Sequence, residues 1–205
     1  MLFRSHWLSS LEKAGCDSTI INTHYLHQKV SSYLKNRNNN KMTIKAIFEK
    51  ELLGTAGTLL RNKEFFDNSR IVMIHADNMT NFNLSELLEA DEQRPKNCLM
   101  TMLTFSTDSP QSCGIVERDS NMIVQNFFEK VENPPGNIAN GAIYVFDSTL
   151  LKKLSEISSN LYDFSKDVIP LFLGRIFSFH TEKDFIDIGT HKNLEKAKYI
   201  FKTNK

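Results

Sequence analysis

The 205 residues carry 25 Lys and Arg against 24 Asp and Glu, for a net charge of +1. That balance gives no electrostatic basis for binding nucleic acid or an anionic membrane, and no apolar run reaches the length of a bilayer span. The length fits one large domain; Cys16, Cys98 and Cys113 are too few and too scattered for a disulfide framework or a zinc site, and point to a reducing cytoplasm.

The N-terminus lacks a signal-peptide pattern, because Arg4 and Glu12 interrupt any apolar segment. Residues 7–14 set Trp7, Leu8, Leu11 and Ala14 on one helical face, with Gly15 as the stop. Residues 19–22 read as a short strand, 26–34 as an amphipathic helix, 37–41 as a polar turn and 44–48 as an alternating strand. In residues 51–60 two glycines, Gly54 and Gly57, bracket Thr55-Ala56 ahead of a helical run. Small residues at a helix start let a ligand approach the backbone, whose free N–H groups bind acceptor atoms; a tight loop without a ligand has the same composition.

Ile71-Val72-Met73-Ile74 reads as a strand buried on both faces. It stops at His75-Ala76-Asp77-Asn78, so Asp77 falls just past the carboxyl end of a strand, where open α/β sheets bind ligands. Mg²⁺ favours one or two carboxylates together with phosphate oxygens. A turn aspartate with no ligand fits the same local pattern. A helix follows, carrying Leu84, Leu87 and Leu88, with Asn83 as N-cap and Glu86 three residues on.

Residues 98–105 form an apolar strand, and 113–117 with 123–129 a hairpin turning through 118–121. Lys130 after Glu129 is either a point charge for a phosphate or half of a surface ion pair. Residues 138–146 form a strand interrupted by Asn140-Gly141. A glycine there marks a bulge or the close approach of a ligand, and Asn140 offers sugar hydroxyls both donor and acceptor. Residues 164–173 read as a helix capped by Asp163 despite Pro170, and 176–180 as a strand. Asp187, between Ile186 and Ile188, needs a partner if that segment is packed. A final helix spans 194–201. The six histidines show no ligand spacing. Helices interleaved with short strands predict βαβ units and a largely parallel sheet.

Five segments in one order resemble the sugar-phosphate nucleotidyltransferase family. They are Leu53-Gly54-Thr55-Ala56-Gly57, His75-Ala76-Asp77-Asn78, Gly114-Ile115-Val116 with Phe128-Glu129-Lys130, the strand from Asn140 to Phe146, and Asp187-Ile188-Gly189-Thr190. The resemblance runs from about Trp7 to Ala197. It implies an α/β fold with a Rossmann-like, mixed but mostly parallel sheet flanked by helices. It implies a single domain over residues 1–205, divided into a nucleotide-binding half (1–112) and a sugar-phosphate half (113–205). It implies transfer of a nucleoside monophosphate from a triphosphate to a sugar 1-phosphate. Asp77 and Asp187 would hold Mg²⁺, and Lys130 would act with them on the phosphates. Leu53, Gly54, Thr55, Gly57 and Ala76 would face the nucleotide, and Gly114, Glu129, Asn140 and Gly141 the sugar. The form His-Ala-Asp-Asn is most similar to the mannose- or heptose-1-phosphate guanylyltransferase branch, which makes GTP the expected donor. A homo-oligomer is compatible with all of this.

One departure stands beside these matches. The family opens with a buried strand, a Gly-rich phosphate loop and a Lys-Pro pair, whereas this sequence starts at Met1-Leu2-Phe3. The expectation is an N-terminally truncated domain with unpaired strand edges, an apolar slot and little or no activity. A non-catalytic sugar-phosphate module is the alternative. A metal-dependent glycosyltransferase is another, disfavoured because Asn78 rather than a second acid follows Asp77.

Overall fold

The computed structural model describes residues 2–37, 41–157 and 160–202; part of the expected turn at 37–41 lies outside them. The sheet is organised around its longest strand, β8 (Ile138–Asp147). Ile143, Tyr144, Val145 and Phe146 are all fully buried, since helices cover both faces of the sheet and every position meets apolar neighbours. Along one edge β8 pairs with β5 (Met100–Ser106), which pairs in turn with β9 (Ile176–Thr181). Its other edge is shared. β6 (Gly114–Arg118) touches it at Ala139 and carries the hairpin partner β7 (Val124–Glu129), while β3 (Arg70–Ile74) lies along residues 143–147.

The mixed α/β architecture agrees with the sequence reading, but the pairing does not. β3, β5, β6 and β9 run one way, yet β8 runs against them and sits between them. Within this sheet only β5–β9 is therefore a parallel pair.

Five helices flank the strands: α1 (Leu2–Lys13), α2 (His27–Lys35), α3 (Gly54–Arg61), α4 (Leu84–Glu92) and α5 (Ser148–Ile157); α6 (His191–Lys202) ends the described chain. Side chains alternate along β8. Ile143 and Val145 pack with Leu103 against Trp7, Leu8 and Leu11 of α1 and Leu84 and Leu87 of α4. Tyr144 and Phe146 pack with Met100 and Met102 against α3, α5 and Phe164. The helix expected over 164–173 is broken into a single π turn, Phe164–Val168, and a 3₁₀ turn, Ile169–Phe172. Pro170 has no N–H to continue the helical ladder. Asn83 caps α4 as expected, its side chain accepting from the Ser85 N–H at 3.2 Å.

β1 (Ser18–Thr23) and β2 (Thr43–Phe48) form a separate parallel pair. Between β1 and β3 lies a slot of about 1320 Å³, roofed by α1 and floored by α3. β3 was expected to be buried on both faces. Only Ile71 is; Val72, Met73 and Ile74 are half-buried because they border the slot.

Candidate active site

The loop after β3 is held in place by β8. Two steps on β5, from Met102 to Thr104, face four on β8, from Tyr144 to Asn140, so β8 bulges at Gly141 and Ala142. The bulge presents two carbonyls to the loop. Ala142 O accepts from the His75 N–H at 3.2 Å, and Gly141 O accepts from Asn78 Nδ2 at 2.8 Å. The Asn78 carbonyl accepts from Trp7 Nε1 at 2.7 Å. Asn78 is thereby buried and hydrogen-bonded on both sides, and Asp77 stands on a fixed turn.

β4 (Asn78–Thr80) and β10 (Phe185–Asp187) form a short antiparallel ladder in which Asn78 opposes Asp187. The Ile188 N–H donates to the Asp77 carbonyl at 2.8 Å. Two acids far apart in sequence therefore stand next to each other. Both are exposed, so Asp187 does not need the partner that a packed segment would require. One Asp187 oxygen accepts from the Gly189 N–H at 2.7 Å. Among the described residues no three or more His, Cys, Asp or Glu side chains form a metal cluster. Two open carboxylates suit a hard divalent ion that takes its other oxygens from substrate and water, as Mg²⁺ does, and do not suit a closed structural site.

His75 lies behind this pair. Burial pushes its pKa down; Asp77, Asp163 and Asp187 act in the opposite direction and Lys130 in the same one. The ring is thus neutral at physiological pH, and its buried Nε2 has no hydrogen-bond partner among the described residues. These four charged groups converge on one histidine, which sequence spacing had passed over.

Glu129 ends β7 and Lys130 follows it. The Lys130 backbone sits at φ 52, with its N–H donating to the Cys113 carbonyl at 3.2 Å. Its exposed ammonium is 3.9 Å from Glu129. Burial raises the Glu129 pKa; Lys130 lowers it, Asp163 raises it and Lys166 lowers it. A Cβ on Gly114 would fall 2.7 Å from Glu129 Oε2 and 2.6 Å from the Phe127 ring, so glycine there lets both side chains cross β6. Asp163 was expected only as a helix cap. It does cap the π turn, accepting from the Lys166 N–H, and it also belongs to this charge cluster.

Two expected ligand contacts have internal partners instead. Asn140 Nδ2 donates to the buried Tyr144 hydroxyl at 2.7 Å, and Asn140 Oδ1 accepts from the Ala142 N–H at 2.9 Å. The side chain braces the bulge and holds Ala142 at φ 51. The small residues before α3 act similarly. Gly54 has φ 74, and a Cβ there would fall 2.2 Å from the Tyr162 carbonyl oxygen. That carbonyl accepts from the Ala56 N–H, Thr55 Oγ1 accepts from the Phe164 N–H, and buried Glu49 accepts from the Leu53 N–H. The N–H groups of Leu53 and Ala56 are therefore not free for a nucleotide. Thr55, Ala76 and Asp77 do border the slot.

The nucleotidyl transferase family model matches residues 3–204. A glucose-1-phosphate adenylyltransferase from Clostridium botulinum is 28% identical over 156 residues, covering 70% of this chain and 40% of that protein. A protein of Sulfolobus acidocaldarius assigned as a mannose-1-phosphate guanyltransferase is 27% identical over 167 residues, covering 81% and 44%. The chain thus spans about half the length of the curated relatives it matches. Among solved structures, one assigned as a glucose-1-phosphate thymidylyltransferase from Bacillus anthracis, in complex with a sucrose, superposes with a TM-score of 0.85 at 21% identity, covering 97% of this chain and 81% of that one. HddC from Yersinia pseudotuberculosis complexed with GMP-PN gives 0.79 at 22% identity, covering 97% and 85%. These structures share the fold. With a family match across nearly its whole length, this chain belongs to the nucleotidyl transferase family.

Proposed function

We propose that the chain carries the core of a sugar-1-phosphate nucleotidyltransferase that uses a nucleoside triphosphate, GTP by preference, and Mg²⁺. The observation that carries this reading is the meeting of Asp77 and Asp187 at the β4–β10 ladder, in front of a His75 that feels both acids and Lys130. Residues 1–112 would serve the nucleotide and 113–205 the sugar phosphate. Asp77 and Asp187 would hold the ion, whose chemistry when bound is to neutralise charge on the α-phosphate. Lys130 pairs with the sugar 1-phosphate. A phosphate oxygen of that sugar attacks the α-phosphorus, the bond to the bridging oxygen breaks, and pyrophosphate leaves. The protein's part is positioning and charge compensation. A neutral His75 adds no positive charge to compete with the ion.

The open slot beside Asp77 leaves the triphosphate without a wall on one side, and residues 1–205 alone are expected to turn over little or no substrate. Ligand-induced stabilisation therefore tests the site. Mannose 1-phosphate should raise the melting temperature where mannose does not, and Lys130→Ala should abolish the rise. A GTP-dependent rise should require Mg²⁺ and be lost in Asp77→Asn and Asp187→Asn. No response to either ligand refutes the reading. Robust pyrophosphate release from GTP and mannose 1-phosphate or a heptose 1-phosphate refutes the expected inactivity.

A further inference from the structure

The outer edge of the β4–β10 ladder is closed by an indole. Asn78 and Asp187 oppose each other, and the Ile188 N–H donates to the Asp77 carbonyl at 2.8 Å, one step to the side. That offset makes 78 and 187 the kind of antiparallel pair whose own backbone groups point away from the opposing strand. The Asn78 N–H turns back to the His75 carbonyl at 3.2 Å. The Asn78 carbonyl accepts from Trp7 Nε1 at 2.7 Å. Thr80, two residues on, is in the same phase, and its backbone acts on His6, the neighbour of Trp7: burial lowers the His6 pKa and the Thr80 backbone raises it. α1 thus meets alternate positions of a strand only three residues long.

We propose that Trp7 is a positioning residue for the acidic pair, acting on Asp77 through the Asn78 backbone. This role rests on the reading of Asp77 and Asp187 as holders of a divalent ion. The Asn78 side chain is tied to the Gly141 carbonyl; the indole ties down its main chain. Asn78 and Trp7 are 6% and 5% exposed, so water has no access to replace the indole at that carbonyl. Without the donor, the buried carbonyl is relieved by rotation of its peptide toward another partner. Such a rotation disturbs a ladder that has only Phe185, Ile186 and Asp187 to pair with. Asp77 then loses its fixed placement relative to Asp187. Mg²⁺ demands near-ideal octahedral geometry, so two carboxylates that share it need that placement held. Packing alone does not account for tryptophan here. The ring belongs to the cluster of Leu8, Leu84, Ile143 and Val145, where another large apolar side chain would also fill space; the N–H is what the indole adds.

Trp7 is the sole tryptophan, so the full chain can be altered at this one position by tryptophan analogues. 3-Benzothienylalanine keeps the bicyclic shape and puts sulfur in place of the N–H. 5-Fluorotryptophan keeps the donor and serves as the control. In ligand-free protein, amide hydrogen exchange of the benzothienyl chain should be about tenfold faster over residues 77–80 and 185–188 and unchanged along α5 and β9. With Mg²⁺ saturating, its GTP titration, read by melting temperature, should give an apparent affinity about tenfold weaker, while the fluorotryptophan chain matches the parent. Equal exchange in the benzothienyl and parent chains overturns the inference. So does faster exchange with an unchanged GTP titration, because the donor would then serve stability alone. A parent chain that does not respond to GTP with Mg²⁺ refutes the proposed activity instead, and the exchange result then decides the positioning role by itself.

Discussion

Replacing Tyr144 by phenylalanine removes one oxygen from the scaffold behind the site. The hydroxyl is fully buried and accepts from Asn140 Nδ2 at 2.7 Å. Burial raises its pKa far above the phenol range, so it stays protonated at any assay pH. The mutant ring keeps its packing on Phe164, whose centroid lies 4.7 Å away, and the loss is confined to the polar atom. An unsatisfied buried group costs about 1–3 kcal/mol, and Asn140 is half-buried, so the expected loss is about 2 kcal/mol. For a chain of this size that corresponds to a fall of roughly 4–8 °C in Tm. There is a second consequence. Asn140 Oδ1 supports Ala142 at φ 51, and Ala142 and Gly141 hold the Asp77 loop through His75 and Asn78. A loosened Asn140 should therefore also shrink the mannose 1-phosphate thermal shift. Urea unfolding and a ligand titration measure the two effects. A Tyr144→Phe protein within about 0.5 kcal/mol of the parent and with an unchanged ligand response would refute the bracing role.

Three further outcomes follow from other parts of the chain. Gly54→Ala combines a left-handed backbone with a Cβ against the Tyr162 carbonyl and should destabilise by roughly 2–5 kcal/mol in urea titrations, a loss within about 0.5 kcal/mol counting against that contact. Asp91→Ala leaves Arg70 and Arg94 without the buried carboxylate they share and removes the acceptor of the Thr101 hydroxyl; it should cost about 3–5 kcal/mol while leaving Mg²⁺-dependent GTP stabilisation intact. Between pH 7.5 and 5.5 the unfolding free energy should fall. His6, His75 and His180 are all depressed below 6.5 by burial, so the unfolded chain takes up protons first as pH drops through 6.5. His75→Asn should flatten that slope in urea titrations across the range, and an unchanged slope would mean that His75 is not held neutral.

Much of the fold is legible because periodicity is a local property. The strands at β1, β2, β3, β5 and β9, the β6–β7 hairpin and the Asn83 cap all follow from patterns within a few residues. α5 is equally local in its signal, with Leu150, Leu151 and Leu154 at helical spacing. Strand pairing is not local. β8 reads as one more buried strand, and nothing within it says that it runs against its three partners, β3, β5 and β6, and makes those pairings antiparallel. The glycines at 54 and 57 show the same limit. Their composition marks close approach, and one group that approaches Gly54 is the Tyr162 backbone, 108 positions away (162 − 54).

The acidic pair shows how far a local rule reaches. Asp187 lies between two isoleucines, and it would need a partner if that segment were packed around it. On a strand, successive side chains point to opposite faces. Apolar neighbours on both sides of an aspartate therefore predict that the aspartate faces away from the core. β10 obeys this, with Ile186 buried and Asp187 exposed. Asp77 is not on a strand: it lies in the turn just before β4, next to Asn78, whose side chain ties to Gly141, and it is exposed. Two exposed acids 110 positions apart (187 − 77) thus flank one short ladder. The β4–β10 ladder then needs only three paired residues to set them side by side. Period two accounts for the direction of Asp187 alone; the turn that carries Asp77 and the bulge in β8 that holds it, invisible in any window around either acid, fix the place where they meet.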